Sequence, residues 1–362
     1  MFIHRQLGRG RQANTENVLD SWNMPVVIQR VGQPCLKRCI VGHIPNSRLT
    51  QLLIYPIKSL GPVEVKAVEL TDTGLRFDRS FALVYTPDRT ASSADPPLVR
   101  HLTIKKTFAL ALFRPEIDRS WSTLTISHVG TTPADKLTLP LTPSPFGVLD
   151  ARTYLLSIFG TSAIGIDMGE EPAIFFSRHL GTSVRLVFIG GDGRREIPGA
   201  RYARNWLDNI SRGLQQEQIP QQVKLADAAP LLVTSTASEN DVRQRLPETD
   251  RNEDVILRFR PNIHLCVDNL LPPYDEDEWR TLEVRSTKDR QTVTIKCVYP
   301  CVRCLSINAD LDTGQMTDRE RQVYGLLASD RRINEAFPRG SLRSYQARSA
   351  METSSPTLRM LP

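Results

Sequence analysis

Short runs of alternating apolar and polar residues dominate the middle of the chain and constrain its fold more than any other feature. Val63 to Leu70 alternates with a single break. A shorter alternating run occurs at 124–128 and short apolar runs occur at 52–55, 80–85 and 109–113, separated by turns rich in Gly, Pro and Asp. A period of two with such turns is typical of antiparallel strands that bury one face. The sequence therefore predicts a mixed, mainly β (α+β) protein.

A few helices are expected among the strands. Residues 171–180 carry apolar side chains at helical spacing and are followed by a glycine, a common C-terminal stop. After an apolar run at 231–234, Ser238 and Asp241 have the spacing of a capping box, which predicts the start of a second helix. The glycine-rich segment 190–195 does not stand between a strand and a helix, as a phosphate-binding loop should, and is interpreted as a surface loop.

Length and composition limit the functional classes. The chain has 362 residues, of which 40% are hydrophobic, and this is enough to bury one large or two medium cores. The 46 basic and 40 acidic residues give a net charge of +6 without runs of Lys or Arg, which suits an anionic ligand better than nucleic acid. Six unevenly spaced cysteines do not form the pattern of a disulfide framework, so a reducing compartment rather than secretion is expected. No apolar stretch approaches the roughly 18 residues of a membrane span, so we expect a soluble protein.

The two ends of the chain differ from its middle. In residues 1–48, basic side chains precede any acidic one and prolines interrupt each possible helix. This favours a poorly ordered leader and leaves an organelle transit signal open. In residues 317–362 the alternation stops and Ser, Arg and Pro become frequent, so this segment is interpreted as a divergent, disordered tail. A β-barrel that lacked its last strands would leave an exposed sheet edge.

Reactive side chains concentrate just before that tail. Cys297, Cys301 and Cys304 place three thiols within eight residues, and Arg303 would favour a neighbouring thiolate. The spacing matches radical enzymes with an iron–sulfur cluster, but their loop opens a large α/β barrel and only 58 residues follow Cys304. A structural zinc site would need a second short pair of ligands, and none lies nearby. The surrounding sequence favours a single catalytic or metal-bound thiolate.

Four separated motifs together resemble the MOSC family, specifically its members with an N-terminal MOSC β-barrel. The motifs are Tyr55-Pro-Ile-Lys-Ser59, Gly74-Leu-Arg-Phe-Asp-Arg79, Arg258-Phe-Arg-Pro-Asn-Ile263, and Cys301-Val-Arg-Cys304 followed by Asp312-Thr-Gly314. The resemblance extends to the amidoxime-reducing and molybdenum-cofactor-sulfurase branches of that family. It implies a MOSC N-terminal β-barrel module with a linking helix at 49–180, packed on a MOSC molybdenum-cofactor domain at 181–316.

The resemblance implies a molybdenum cofactor (Mo-molybdopterin) and assigns residues to it. Cys304, the second cysteine of the C-x-R-C motif, would be both the metal ligand and the catalytic residue, with Cys301 as a packing neighbour. Arginine suits the anionic cofactor because its planar fork binds oxyanions at two points. The implied cofactor-binding residues are Lys58, Ser59, Arg79, Asp227, Arg260, Asn262 and Arg303.

The implied activity is that of a molybdenum oxidoreductase that reduces N-hydroxylated or other N-oxygenated small molecules by oxygen-atom transfer. Haem and flavin proteins would donate the electrons, in the cytoplasm or the mitochondrion, and pyridoxal phosphate binding is a further expectation. Two alternatives stay open: a cofactor carrier or sulfur-transfer module without redox turnover, and an inactive cofactor-binding relative. The divergent tail and Val302, where the family often has a small polar residue, are the departures that bear on activity.

Overall fold

A computed structural model describes the chain in twelve segments. The segments are residues 18–20, 25–30, 47–87, 96–143, 152–190, 193–196, 222–227, 229–267, 271–285, 292–301, 303–331 and 348–352. The basic start of the expected transit signal and Val302 lie outside these described residues.

Strands make up most of the regular structure. They are β1 (Val18–Asp20), β2 (Pro25–Arg30), β3 (Ser47–Ile54), β4 (Val63–Val65), β5 (Ala67–Thr71), β6 (Gly74–Leu75), β7 (Phe81–Tyr85), β8 (Leu98–Val99), β9 (Phe113–Ile117), β10 (Thr123–His128), β11 (Asp135–Pro140), β12 (Thr153–Ile158), β13 (Thr161–Asp167), β14 (Val184–Phe188), β15 (Arg195–Glu196), β16 (Gln222–Val223), β17 (Leu231–Ser235), β18 (Ile263–Cys266), β19 (Trp279–Arg285), β20 (Thr292–Pro300) and β21 (Arg348–Glu352). The α-helices are α1 (Glu170–Leu180), α2 (Thr236–Arg245), α3 (Ile256–Phe259) and α4 (Val323–Ala328). The mainly β (α+β) fold class is confirmed. Within the described segments, no helix combines the length and the apolar character needed to span a membrane.

The largest sheet closes into a β-barrel. Its strand order is β18-β17-β21-β20-β19-β2-β3-β4, and β18 also pairs with β3, so the order returns to its start. The apolar faces of these strands form one buried core, which includes Leu52, Ile54, Val233, Ile263, Leu265, Trp279, Leu282, Val284 and Ile295. Because β21 lies between β17 and β20, the barrel would have two open edges without it.

The expectations for the two ends of the chain are wrong in part. Strands β1 and β2 lie within residues 1–48, the expected poorly ordered leader, and β2 completes the barrel. In the expected disordered tail at 317–362, α4 buries Val323 and Leu327, and β21 closes the barrel. Hydrophobic periodicity did not reveal β21 because its sequence, Arg-Ser-Ala-Met-Glu, contains two apolar residues next to each other rather than in alternation.

The N-terminal module contains two further sheets and α1. The sheets have the orders β11-β10-β9 and β7-β14-β13-β12-β8. Helix α1 buries Phe175 and Phe176 in the core that these sheets share, and it ends at Gly181, whose φ of 63° is left-handed, as the sequence predicted. Residues 109–113 were expected to form a strand, but Phe108–Leu112 is a 3-10 helix that leads into β9.

The start of α2 also differs from the expectation. The helix begins at Thr236, and its cap is Ser235, whose Oγ accepts a hydrogen bond from the Ser238 backbone N–H at 3.4 Å. Ser238 is buried and donates its own hydroxyl to Glu276 at 2.7 Å. The Ser238 hydroxyl, which was predicted to cap the helix, is therefore paired with Glu276 in the interior instead.

The end of β3 is the junction between the barrel and the N-terminal module. Because β17 and β18 run parallel and β3 runs antiparallel to β18, the end of β3 and the starts of β17 and β18 meet at one edge of the barrel. From there the chain passes to the module, where the Lys58 N–H donates to the Phe81 carbonyl at 2.8 Å. The Arg79 N–H returns to the Tyr55 carbonyl, also at 2.8 Å. This topology brings the sequence motifs to one place.

Two histidines stack between α1 and the β10–β11 hairpin. The rings of His128 and His179 are 4.0 Å apart with an interplanar angle of 16°, and His179 Nε2 lies 3.0 Å from the Asp135 carboxylate. Burial, together with the neighbouring His179, lowers the pKa of His128 below its ordinary value of 6.5. A histidine with a lower pKa in the folded state supports folding while neutral, so its contribution is complete above the unfolded pKa and is lost as the pH falls below it.

We expect His128→Phe to flatten the pH dependence of the melting temperature. The wild type should lose stability between about pH 7 and pH 5 as protonation favours the unfolded chain, whereas phenylalanine keeps the aromatic stack without a titrating group. Thermal unfolding of both proteins across this range measures the effect. Equal slopes in the two proteins would show that His128 does not contribute to the acid sensitivity.

Candidate functional site

Two arginines that the sequence assigned to an anionic cofactor meet at the barrel–module junction. The guanidinium carbons of Arg79 and Arg260 each lie 4.3 Å from the centre of the Tyr55 ring. Arg79 also pairs with Asp78 and donates to Asn262 Oδ1 at 3.0 Å. Burial raises the pKa of the Tyr55 hydroxyl, while the charges of both arginines act in the opposite direction. The structure thus brings two widely separated motifs onto one aromatic ring.

The backbone at this junction is strained. Ser59, Arg79 and Arg260 have φ values of 75°, 47° and 59°, in the left-handed region that residues other than glycine rarely adopt. Such conformations persist only where the surrounding structure imposes them, and they concentrate at functional sites. The strain therefore supports a functional role for this junction.

Lys58 and Asp227 form an ion pair beside the arginines. Lys58 is 8% exposed and also donates to the Leu225 carbonyl at 2.9 Å, whereas the Asp227 side chain is 62% exposed. Burial lowers the pKa of the Lys58 ammonium, and Asp227 offsets part of that effect. Desolvation acts to raise the pKa of the Asp227 carboxyl, but the charge of Lys58 holds that pKa well below its usual range. Lys58 thus stabilises the negative charge of Asp227, whose carboxylate lies on the solvent side of the pair.

Arg195 is a residue of this region that the sequence analysis missed. It is 2% exposed and donates to Thr161 Oγ1 at 2.7 Å, to the Asp227 carbonyl at 2.6 Å and to the Ala226 carbonyl. These bonds fix the backbone that carries Asp227 against β13. The interpretation of 190–195 as a surface loop is therefore wrong for its last residue. No local motif marks such an arginine, because its acceptors are distant in the sequence.

We expect Arg195→Met to lower the free energy of unfolding by about 2 to 4 kcal/mol, because buried oxygens lose a charged donor. Urea unfolding measures the change. Arg194→Met is the matched control: the Arg194 side chain is 38% exposed and pairs with a half-exposed Asp72. An exposed pair contributes at most about 1 kcal/mol, so equal losses in the two variants would contradict the role assigned to Arg195.

The three clustered cysteines have different environments. Cys297 is buried in the barrel core, Cys301 is half-buried, and Cys304 is exposed with its Sγ 3.1 Å from Ser306 Oγ. Among the described residues, no group of three or more His, Cys, Asp or Glu is arranged to hold a metal ion. The iron–sulfur and zinc interpretations therefore find no ligand set in this part of the chain. A site that needs one protein sulfur does not require such a group.

Arg303 contacts Cys301 rather than Cys304. Its Nη1 lies 3.2 Å from Cys301 Sγ, and its Nη2 donates to the Phe259 carbonyl at 2.7 Å. Burial raises the pKa of the Cys301 thiol, Arg303 acts in the opposite direction, and the charges of Asp227 and Cys304 add to the rise. The sequence predicted that Arg303 would favour a neighbouring thiolate. The cysteine that it contacts is Cys301, and there the effect of burial on the pKa is larger than that of Arg303. Arg303, Asp227 and Cys304 nevertheless all lie near enough to Cys301 for their charges to act on its thiol.

Asn262 and Ser59 are held within the framework. The Asn262 side chain donates to the Leu53 carbonyl at 3.0 Å and accepts from the Leu232 N–H at 3.2 Å, besides its bond with Arg79. It thereby ties β3 to β17 and orients an arginine. Ser59 is 8% exposed, and its hydroxyl lies 3.5 Å from the Leu102 carbonyl. Direct contact of these two residues with a ligand stays a prediction.

Two guanidinium nitrogens at the site are buried without a hydrogen-bond partner in the described structure, Arg260 Nη2 and Arg303 Nε. Unsatisfied buried donors are unfavourable and rare in folded proteins. Lys58, Arg79, Arg195, Arg260 and Arg303 contribute five positive charges against the two negative charges of Asp78 and Asp227. Unused donors with an excess of positive charge suit an anionic group, so the residues fit the phosphate of a molybdenum–pterin cofactor.

Comparison with known proteins covers most of the chain. Residues 46–183 match the family model of the MOSC N-terminal beta barrel domain, and residues 220–341 match that of the MOSC domain. Mitochondrial amidoxime reducing component 2 of Homo sapiens is 30% identical over 283 residues, which are 76% of this chain and 70% of that protein. Component 1 of Mus musculus is 30% identical over 285 residues, covering 77% and 70%. The molybdenum cofactor sulfurase of Danio rerio is 26% identical over 278 residues.

The extent of these matches differs between the relatives. The alignment with the Danio rerio sulfurase covers 74% of this chain but 29% of the sulfurase, so this chain corresponds to less than a third of that protein. Neither matching family model describes a pyridoxal phosphate site, and that expectation has no support. The MOSC match extends to residue 341 and so includes α4 in the domain rather than in a tail.

Proposed function

This chain belongs to the MOSC family, and on that premise we propose that it binds a molybdenum cofactor at the junction of its barrel and its N-terminal module. The observation that carries the proposal is the pair of guanidinium groups over the Tyr55 ring, together with the buried nitrogens of Arg260 and Arg303 that lack a partner in the described structure. An anion that accepts from these donors would satisfy them.

The proposed roles follow from exposure and charge. Lys58, Arg79 and Arg260, with Arg303, would hold the anionic group of the cofactor, and the exposed sulfur of Cys304 would be the protein ligand of the metal. Burial favours the neutral thiol of Cys301, which suits a packing neighbour rather than a ligand. The bound group would supply two-electron redox chemistry, while the protein supplies binding, orientation and electrostatics.

We infer further that the chain is an oxidoreductase for N-oxygenated small molecules. Support comes from the relatives of Homo sapiens and Mus musculus, which are named mitochondrial amidoxime reducing components and are 30% identical to it. Haem and flavin proteins would donate the electrons, and the mitochondrion would be its compartment. The compartment and the substrate class are taken from the names of these relatives, and the electron donors from the resemblance of the motifs alone.

Elemental and pterin analysis of the purified protein tests the proposal, followed by turnover of benzamidoxime with dithionite-reduced viologen as electron donor. We expect molybdenum and pterin in equal amounts and reduction of the substrate. Protein that folds, is supplied with the cofactor and retains neither molybdenum nor pterin would overturn the proposal. Zinc or iron in stoichiometric amount would point back to the alternative metal sites.

A cofactor carrier or sulfur-transfer module is the second candidate. The exposure of Cys304 favours it as much as catalysis, because a surface thiol is accessible to a partner protein. The similarity to the molybdenum cofactor sulfurase of Danio rerio also supports this candidate. Tight cofactor binding without turnover, or a persulfide on Cys304 detected by mass spectrometry, would support this candidate over the oxidoreductase.

A further inference from the structure

Two of the proposed binding arginines share the ring of Tyr55. The ring is buried, and the guanidinium carbons of Arg79 and Arg260 lie at the same 4.3 Å distance from its centre. Arg79 comes from the turn before β7 in the N-terminal module, and Arg260 comes from the residues before β18 in the barrel. The ring is therefore contacted by one cation from each half of the protein.

Two guanidinium groups at such a place repel each other, and burial strengthens the repulsion. The face of an aromatic ring carries negative electrostatic potential and attracts cations, which offsets part of that repulsion. Arg79 has Asp78 and Asn262 as additional partners, whereas Arg260 Nη2 has no acceptor in the described structure. The position of Arg260 therefore depends on the ring more than that of Arg79 does.

The main chain holds the ring in place. The Tyr55 N–H donates to Asp78 Oδ1 at 2.7 Å, and the Tyr55 carbonyl accepts from the Arg79 N–H at 2.8 Å. Tyr55 directly follows β3, whose last residues pair with β18 and β4. A side chain fixed to a strand end in this way can pre-organise the groups that pack on it.

We propose that Tyr55 is a positioning residue whose ring holds the guanidinium groups of Arg79 and Arg260 in place, so that both can donate to the anionic group of the cofactor. This inference rests on the proposed function and adds a residue to it. The ring rather than the hydroxyl is the active part, because both guanidinium groups lie over the ring, whereas the hydroxyl bonds to neither of them in the described structure. Phenylalanine would keep the ring that both cations contact.

Three variants test the inference through cofactor content, measured by the fluorescence of the oxidised pterin in purified protein. We expect Tyr55→Leu to reduce the pterin content about tenfold, as the loss of a group that orients a cofactor ligand does. Tyr55→Phe should retain it within about twofold, because it keeps the ring. Tyr85→Leu is the matched control: it removes a ring over which Arg100 lies at 5.7 Å, outside the site, and should match the wild type. If Tyr55→Leu fails to fold, Tyr55→Met replaces it.

A second measurement separates this inference from the proposed function. In cofactor-free protein at constant ionic strength, inorganic phosphate should raise the melting temperature of the wild type and of Tyr55→Phe but not of Tyr55→Leu. Equal pterin content and equal phosphate response in Tyr55→Leu and the wild type would overturn the role of the ring. If phosphate raises the melting temperature of the wild type but not of Tyr55→Leu, and the wild type never carries pterin, the proposed function is overturned. The role of Tyr55 in anion binding then remains.

Discussion

Cys304→Ser is expected to reduce the turnover of N-oxygenated substrates to below about 1% of the wild type. Changes to groups that merely orient a metal ligand already lower affinity or activity about 10- to 100-fold, so loss of the ligand itself should exceed that range. Serine keeps the size of the side chain but replaces a soft sulfur that ionises readily with a hydroxyl that does not. Because Cys304 is exposed, the substitution should leave the melting temperature nearly unchanged. Turnover, molybdenum content and thermal unfolding are measured on the same preparation.

Cys301→Ser is the matched control for that result. Cys301 is half-buried, and burial raises the pKa of its thiol, so we expect this variant to retain turnover within about fivefold and to lose some stability through the buried hydroxyl. The contact of Arg303 with Cys301 at 3.2 Å makes the comparison informative, since a cation beside a sulfur is also what a ligand cysteine would have. If Cys301→Ser abolishes turnover and Cys304→Ser does not, the ligand assignment is reversed.

Strands with an alternating apolar pattern could be predicted from the sequence. Strands that are defined only by pairing with distant strands could not. Residues 124–128 and the helix before Gly181 agree with the structure because local periodicity and local packing coincide there. The alternating run at 63–70 is instead divided between β4 and β5, which join different sheets. β21 has no alternating pattern and is defined by its ladders with β17 and β20. Such ladders depend on distant partners, which a single segment does not reveal.

The same distinction applies to the site. Lys58, Arg79 and Arg260 could be identified because each stands in a motif, and the structure brings them to one junction. Arg195 could not, because its acceptors are a threonine on β13 and two main-chain carbonyls before β17. Tyr55 stands in a motif, yet its function in the site depends on two guanidinium groups that are 24 and 205 residues away in the sequence. Tertiary contacts of this kind lie beyond what spacing encodes.

The motif residues Asp312-Thr-Gly314 form a turn whose side-chain acceptor comes from outside the motif. Gly314 has a φ of 64°, as a turn glycine should, and a β-carbon there would lie 2.6 Å from Leu112 Cγ. The carboxylate that bonds the local backbone is that of Asp310, which accepts from the N–H groups of Asp312 and Thr313 at 3.0 and 2.9 Å. The acceptor for this turn therefore lies two residues before the motif.

Arg260→Met is expected to lower the cofactor content about 10- to 100-fold while the cofactor-free protein loses little or no stability. Burial lowers the pKa of Arg260 to about 10, so the folded chain without an anion disfavours its charge, and Nη2 lacks an acceptor in the described structure. Methionine removes that unfavourable charge but also the attraction to the Tyr55 ring, so the free energy of unfolding should change by less than about 1 kcal/mol or should rise. Arginine and methionine are both unfavourable in the left-handed backbone of position 260, where φ is 59°, so the backbone strain should not differ between the wild type and the variant.

Opposite effects on binding and on stability distinguish a binding residue from a structural one, and this makes Arg260→Met the sharpest test of the site. A structural arginine would destabilise the cofactor-free protein by about 2 kcal/mol or more when removed, as a buried paired charge does. Arg260→Lys is the matched control, because it keeps the charge without the planar fork and should recover only part of the cofactor content. Pterin fluorescence and urea unfolding of the three proteins give both quantities. A large loss of stability with unchanged cofactor content would show that the guanidinium serves the fold, and the anion site would then lie elsewhere.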